Sequence, residues 1–259
     1  MKKLIIRLLC LFALTAFAVS CNKEVSFEKI EIQKTEVTAD SAECNIDLQF
    51  LCPVRYGNEK ALAQLQQNLL ALIFGDEYKD VCIKKAAEQY ASAILDEFQL
   101  NAQGLESLSY AEEWIINTAI VYNTGNLLSY EVSRYVFTGG AHGLETRECY
   151  LFDMKTGNRI NQFEIFTEES KDEISAMLKA KIMSDNGFAD EGKMVESGFL
   201  FPEKIVPNNN FCVTDSSLIY LFNPYEIAAG ALGSTQVELS FEAIKPFVVK
   251  DNPICKLIK

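Results

Sequence analysis

Histidine is nearly absent from this sequence, and that shortage narrows the chemistry first. His142 is the one histidine among 259 residues. Protein zinc sites draw on several His and Cys side chains at short spacing, whereas the cysteines here form no CxxC pair and no regular interval. No metal is expected, and no other cofactor. Basic charge is also scarce, with 24 Lys and Arg against 36 Asp and Glu. Binding of nucleic acid calls for a basic footprint that this chain lacks. Long apolar runs are missing too. Residues 8–19 make a run of about twelve, short of the roughly twenty needed to cross a bilayer.

What is present begins with that run. It follows Lys2, Lys3 and Arg7, so residues 1–20 read as a secretory signal. The stretch Ala18-Val19-Ser20-Cys21 resembles a bacterial lipobox. The resemblance implies lipidation of Cys21, a tether over residues 21–26 and a place in the cell envelope, on the periplasmic face or the cell surface, with lipid as the only membrane attachment. Taking off residues 1–20 removes three of the 24 basic residues and no acidic ones, which leaves a formal charge near −15. Such a charge favours a soluble domain repelled by anionic membrane surfaces, or one that attracts basic partners. Cys44, Cys52, Cys82, Cys149, Cys212 and Cys255 remain, most of them among apolar neighbours, and read as buried thiols rather than as disulfides.

Hydrophobic period then divides the chain. Residues 27–37 and 42–51 alternate apolar and polar side chains as paired strands do, and Pro53 should end the second. Asn58 is a good helix cap, ahead of the stripe Leu62, Leu65, Leu69, Leu72 and Ile73 that stops at Gly75. Ile83, Ala87, Tyr90, Ile94 and Phe98 mark a second helix. From Trp114 the period returns to two, and three strands joined by short turns describe an antiparallel meander through residue 152. A third helix should start at Thr167 and stop at Gly187, before a hairpin over residues 211–222, a last strand and a short helix. The expected fold class is α+β, an antiparallel sheet with helices packed on it. A small N-terminal α/β module over residues 27–104 would precede a larger meander-plus-helix module over residues 105–259.

Candidate functional residues gather in two places. Thr138-Gly139-Gly140-Ala141-His142-Gly143 lies between two strands, where glycine enters positive φ without a Cβ clash. The stretch is either a plain hairpin loop or a ligand-facing loop that presents Thr138 and His142 with Gly139 and Gly140. Asn223-Pro224 breaks the later hairpin and is followed by Tyr225 and Glu226. Tyr225 offers an aromatic face and a hydroxyl to a ligand, or else serves as a corner residue. His142 and Glu145 form an H-x-x-E pair, which is too few ligands for a metal.

The run Val136-Phe137-Thr138-Gly139-Gly140-Ala141-His142-Gly143, with Phe152-Asp153, Thr156-Gly157 and Phe222-Asn223-Pro224-Tyr225-Glu226-Ile227 downstream, resembles the extracytoplasmic domain of RsiV-type anti-sigma factors. That family is otherwise largely of unknown function. The resemblance covers residues 110–250 and implies a non-enzymatic sensor or binding module, whose best-known ligand is lysozyme, a basic protein that an acidic domain suits. The chain shows neither a sigma-binding segment nor a spanning helix, so binding in the envelope is expected rather than retention of a sigma factor. The ligand would be a basic protein such as lysozyme, or cell-wall glycan. An envelope enzyme acting on cell-wall glycan or peptide, and a structural lipoprotein, stay open as alternatives.

Overall fold

A computed structural model describes residues 24–38, 41–102, 110–124 and 126–258. Residues 1–23 lie outside it, and with them the signal and the lipobox cysteine Cys21. Six strands form the main sheet in chain order: β1 (Ser26–Val37), β2 (Glu43–Arg55), β3 (Ala111–Asn123), β4 (Leu127–Phe137), β5 (Leu144–Asp153) and β6 (Asn158–Arg159). A second sheet holds β7 (Phe211–Val213), β8 (Ser217–Phe222) and β9 (Thr235–Ser240), all antiparallel. The α+β reading stands.

One pairing departs from the antiparallel pattern: β2 and β3 run parallel from Glu43↔Ala111 to Gln49↔Asn117. Parallel neighbours need a long crossover. Two helices supply it, α1 (Glu59–Phe74) and α2 (Ile83–Ala102). Asn58 caps α1 by accepting the Ala61 N–H at 3.2 Å. The apolar stripes of both helices lie on the face of β2 that carries Cys44, Ile46, Leu48 and Phe50, and this core takes in Tyr130 and Phe152 from β4 and β5. Six strands thus share one continuous sheet on both sides of residue 104.

Pro53 does not end β2, which continues to Arg55. The reason lies in the partners. From Phe50 onward β2 has β1 alone beside it, and the β1 ladder shifts register between Ser26 and Phe27, opposite Pro53. A residue without an N–H is tolerated at such a place.

The other face of β4 and β5 packs against the second sheet and helix α4 (Lys171–Asn186). Ile174, Leu178 and Ile182 of α4 join Leu127 and Leu151 there. Strands covered on both faces lose their alternation, so residues 127–130 and 149–152 are buried without interruption. Helix α4 begins after a 3-10 turn, Glu168–Ser170, and stops at Gly187 in the left-handed conformation at φ 68. The other α-helices among the described residues are short: α3 (Gln162–Ile165), α5 (Glu191–Glu196) and α6 (Phe241–Ile244).

Candidate functional site

The strand ladder between β4 and β5 closes at Val136↔Leu144, which leaves residues 137–143 as the connection. That is longer than the two residues a tight hairpin uses. Gly139 and Gly140 adopt φ 91 and 94, backbone that a side chain would strain. Beneath Gly139 the ring of Tyr110 leaves a Cβ only 3.1 Å. Thr138, Gly140 and His142 are exposed.

The His142 Nδ1 lies 3.2 Å from the Gly143 carbonyl. A carbonyl only accepts, so Nδ1 is the donor in that contact. In the neutral ring Nε2 is then the acceptor facing outward from that contact.

After β8 the chain turns at Asn223. Its side-chain oxygen accepts the Arg147 N–H of β5 at 2.8 Å, which ties the turn to the main sheet. Arg147 is itself held by Glu131, with Nε and Nη2 donating to the two carboxylate oxygens at 2.9 and 3.0 Å. These hydrogen bonds raise the Arg147 pKa above its ordinary value. Asn210 works beside it, accepting the Cys149 N–H at 2.7 Å and donating to the Arg147 carbonyl at 2.8 Å. Two asparagines therefore extend the edge of β5 where no strand reaches it.

Tyr225 follows at φ 70, a left-handed backbone unusual for a side chain of its size. It is 57% exposed. Its ring lies on Gly230, where a Cβ would stand 2.1 Å from the ring carbon Cζ. Tyr135 rests on Gly143 in the same manner, 2.5 Å from the position of an added Cβ. Each tyrosine thus brings the hydroxyl end of its ring against bare backbone that only glycine leaves open.

These two segments meet. A groove of about 510 Å³ is lined by Tyr135, His142, Gly143, Glu145, Pro224 and Tyr225, with Leu144 and the stretch around Gly230 completing it. Of the residues singled out from the sequence, the structure brings His142 and Tyr225 together there. Thr138, Gly139, Gly140 and Glu226 fall outside the lining. Gly143 is visible in the sequence only as part of the glycine run, and Tyr135 and Gly230 do not stand out there, because a ring resting on a nearby glycine leaves no periodic pattern in the sequence. A larger depression of about 580 Å³ between α4 and β9 contains none of the predicted residues. Among the described residues no three His, Cys, Asp or Glu side chains converge as a metal ion would require.

Two family models match the chain. Residues 37–145 match that of "Deacetylase PdaC", and residues 164–242 match "Protein of unknown function (DUF3298)". The groove lies where these segments meet, taking its glycine-loop wall from the first and its Asn-Pro-Tyr wall from the second. The peptidoglycan-N-acetylmuramic acid deacetylase PdaC of Bacillus subtilis (strain 168) is 22% identical over 183 residues. That alignment takes in 69% of this chain, which spans 37% of the length of that relative. A DUF3298 family member from Bacteroides fragilis has the same fold, with a TM-score of 0.82 at 21% identity over 91% of this chain and 98% of that one. A DUF3298 family protein from Pseudomonas aeruginosa PAO1 gives 0.61 at 14% identity, over 88% and 96%.

The resemblance drawn from the sequence holds at the level of a domain family of unknown function. The reading of the chain as no enzyme is overturned, since the model that matches residues 37–145 is that of a deacetylase, as is the curated relative. Among the described residues no helix is long and apolar enough to cross a membrane.

Proposed function

We propose that the protein acts on the cell wall by taking N-acetylated glycan into the groove between the glycine loop and the Asn-Pro-Tyr turn. The observation that carries this reading is the pair of tyrosine rings, each held on a glycine, facing one groove. Sugar rings present C–H faces that stack on aromatic faces, and their hydroxyls and acetamido groups seek donors and acceptors at the edges. Here the lining includes His142 and Glu145, and the space of about 510 Å³ suits one or two sugar residues. Similarity to a peptidoglycan-N-acetylmuramic acid deacetylase supports a ligand of the same class.

A second reading follows from that similarity, in which the groove also hydrolyses the acetamide. His142 Nε2 would take a proton from water as the water oxygen bonds to the acetyl carbon, and return that proton to the sugar nitrogen as the C–N bond breaks and acetate leaves, with Nδ1 still bonded to Gly143. In either case lipidation of Cys21 would hold the domain at the envelope, within reach of the wall. A basic protein such as lysozyme is the competing ligand, supported by the acidic balance of the chain.

The test mixes the protein with oligosaccharides of N-acetylglucosamine and N-acetylmuramic acid, and measures binding by calorimetry and acetate by chromatography. Saturable binding that Tyr225→Ala weakens at least ten-fold supports glycan recognition in the groove. Acetate that disappears in His142→Ala supports hydrolysis. Absence of both, together with salt-resistant binding of lysozyme, would move the ligand to the protein class.

A further inference from the structure

The seam between the two sheets carries a second feature, unrelated to the groove's ligand. Cys149 on β5 and Cys212 on β7 are each 1% exposed, and they share a small apolar cluster with Ile219 and Leu221. Asn210, two residues before Cys212, docks β7 by accepting the Cys149 N–H at 2.7 Å. Both are free thiols in the structure, the neighbouring Cys212 thiol and burial push the Cys149 thiol up, and Cys149 Sγ lies 3.9 Å from Glu131 Oε2. The remaining described cysteines are placed otherwise. Cys44 and Cys52 both belong to β2, Cys82 is exposed, and Cys255 donates to the Val249 carbonyl at 3.4 Å.

We propose that Cys149 and Cys212 close to a disulfide that ties the main sheet to the second sheet when the chain folds in an oxidising compartment. The reaction is thiol–disulfide exchange with a donor disulfide RSSR, either oxidised glutathione or the active-site disulfide of an oxidoreductase. One cysteine thiolate attacks the donor and releases RS⁻. The second cysteine then attacks the mixed disulfide, forming the Cys149–Cys212 bond and releasing the other RS⁻. Two cysteines are oxidised, one donor disulfide is reduced to two thiols, and the two cysteine protons end on those thiols.

Timing follows from the surroundings. In the folded protein the facing thiol of Cys212 and burial both hold Cys149 protonated, and only a thiolate attacks. The bond therefore forms before β7 docks on β5, and once buried it resists reduction. It would span the same seam that Asn210 and Asn223 hold by hydrogen bonds.

The experiment refolds the full chain from the reduced, denatured state in a mixture of reduced and oxidised glutathione. Free thiols are then alkylated under denaturing conditions and the protein is digested without reductant. The expected result is a linked peptide pair joining residues 149 and 212. The melting temperature should lie about 10 °C above that of protein refolded in dithiothreitol, as expected for a cross-link closing a long loop. Cys212→Ala should abolish that difference and leave Cys149 fully alkylated. Complete alkylation of both cysteines in the wild type, or linkage of either one to a different cysteine, would overturn the proposal.

Discussion

Tyr225 illustrates how much one residue position can carry. Its φ of 70 costs a non-glycine residue on the order of 1 kcal/mol, and its ring is more than half exposed, so burial offsets little of that. Strain of this kind persists where a side chain has a use. Replacing Tyr225 with Gly should leave stability unchanged or raise it by up to about 1 kcal/mol in urea unfolding, while glycan binding falls at least ten-fold. A loss of stability instead would show the ring to be a structural corner. Gly230→Ala makes the complementary case. Its Cβ would stand 2.1 Å from the Tyr225 ring, so the ring must leave its seat, and calorimetry should show weakened glycan binding with the fold intact by circular dichroism. Asn223→Ala removes the acceptor of the Arg147 N–H, and we expect about 1–2 kcal/mol of destabilisation for an unpaired backbone donor at the edge of β5.

At the scale of elements, the turn after β5 decides how α1 sits on the sheet. Gly157 has φ 78, and a Cβ there would lie 2.1 Å from the Ala61 carbonyl oxygen. That neighbour is helix backbone, which cannot swing aside as a side chain would. Two amides help hold the contact: Asn58 Nδ2 donates to the Lys155 carbonyl at 2.9 Å, and Asn68 Nδ2 to the Gly157 carbonyl at 2.8 Å. Gly157→Ala should therefore destabilise the protein by about 3 kcal/mol or more, read as a lower urea midpoint with an unchanged slope. The positive φ was legible from Thr156-Gly157-Asn158, since a turn residue in that setting favours glycine. The close approach of α1 was not, because it depends on a helix nearly a hundred residues earlier in the chain.

For the molecule as a whole, buried weak acids set an alkaline limit to stability. Burial pushes the thiols of Cys44 and Cys52 up to about 11. Burial and the hydrogen bond to Glu112 push the Tyr110 hydroxyl up to about 12. The unfolded chain releases these protons at lower pH than the folded one. Their contribution is thus complete below the ordinary thiol range near pH 9 and is lost as pH rises through about 11. The melting temperature should fall steeply between pH 9 and 11, and Cys44→Ala should flatten part of that fall after allowance for its lower baseline. A melting curve with the same pH slope in the variant would contradict this assignment. The two cores behave as the packing implies. Strands β4 and β5 contribute to both, so the halves of the chain should unfold together.

Period and capping, both properties of neighbouring residues, determined by themselves where the strands and long helices lie. Asn58, Gly75 and Gly187 end their helices as the sequence indicates, and alternation marks β1, β2 and β3. The glycine run and the Asn-Pro-Tyr turn were visible as unusual loops. Tertiary structure alone decided that β2 and β3 run parallel, that β2 passes Pro53, and that His142 and Tyr225 share a groove. The physical reason is the same in each case. A local pattern records that a side chain is buried or a backbone is bent, but the partner that buries it lies elsewhere in the chain. Asn210 and Asn223 look like ordinary loop residues until β5 is beside them.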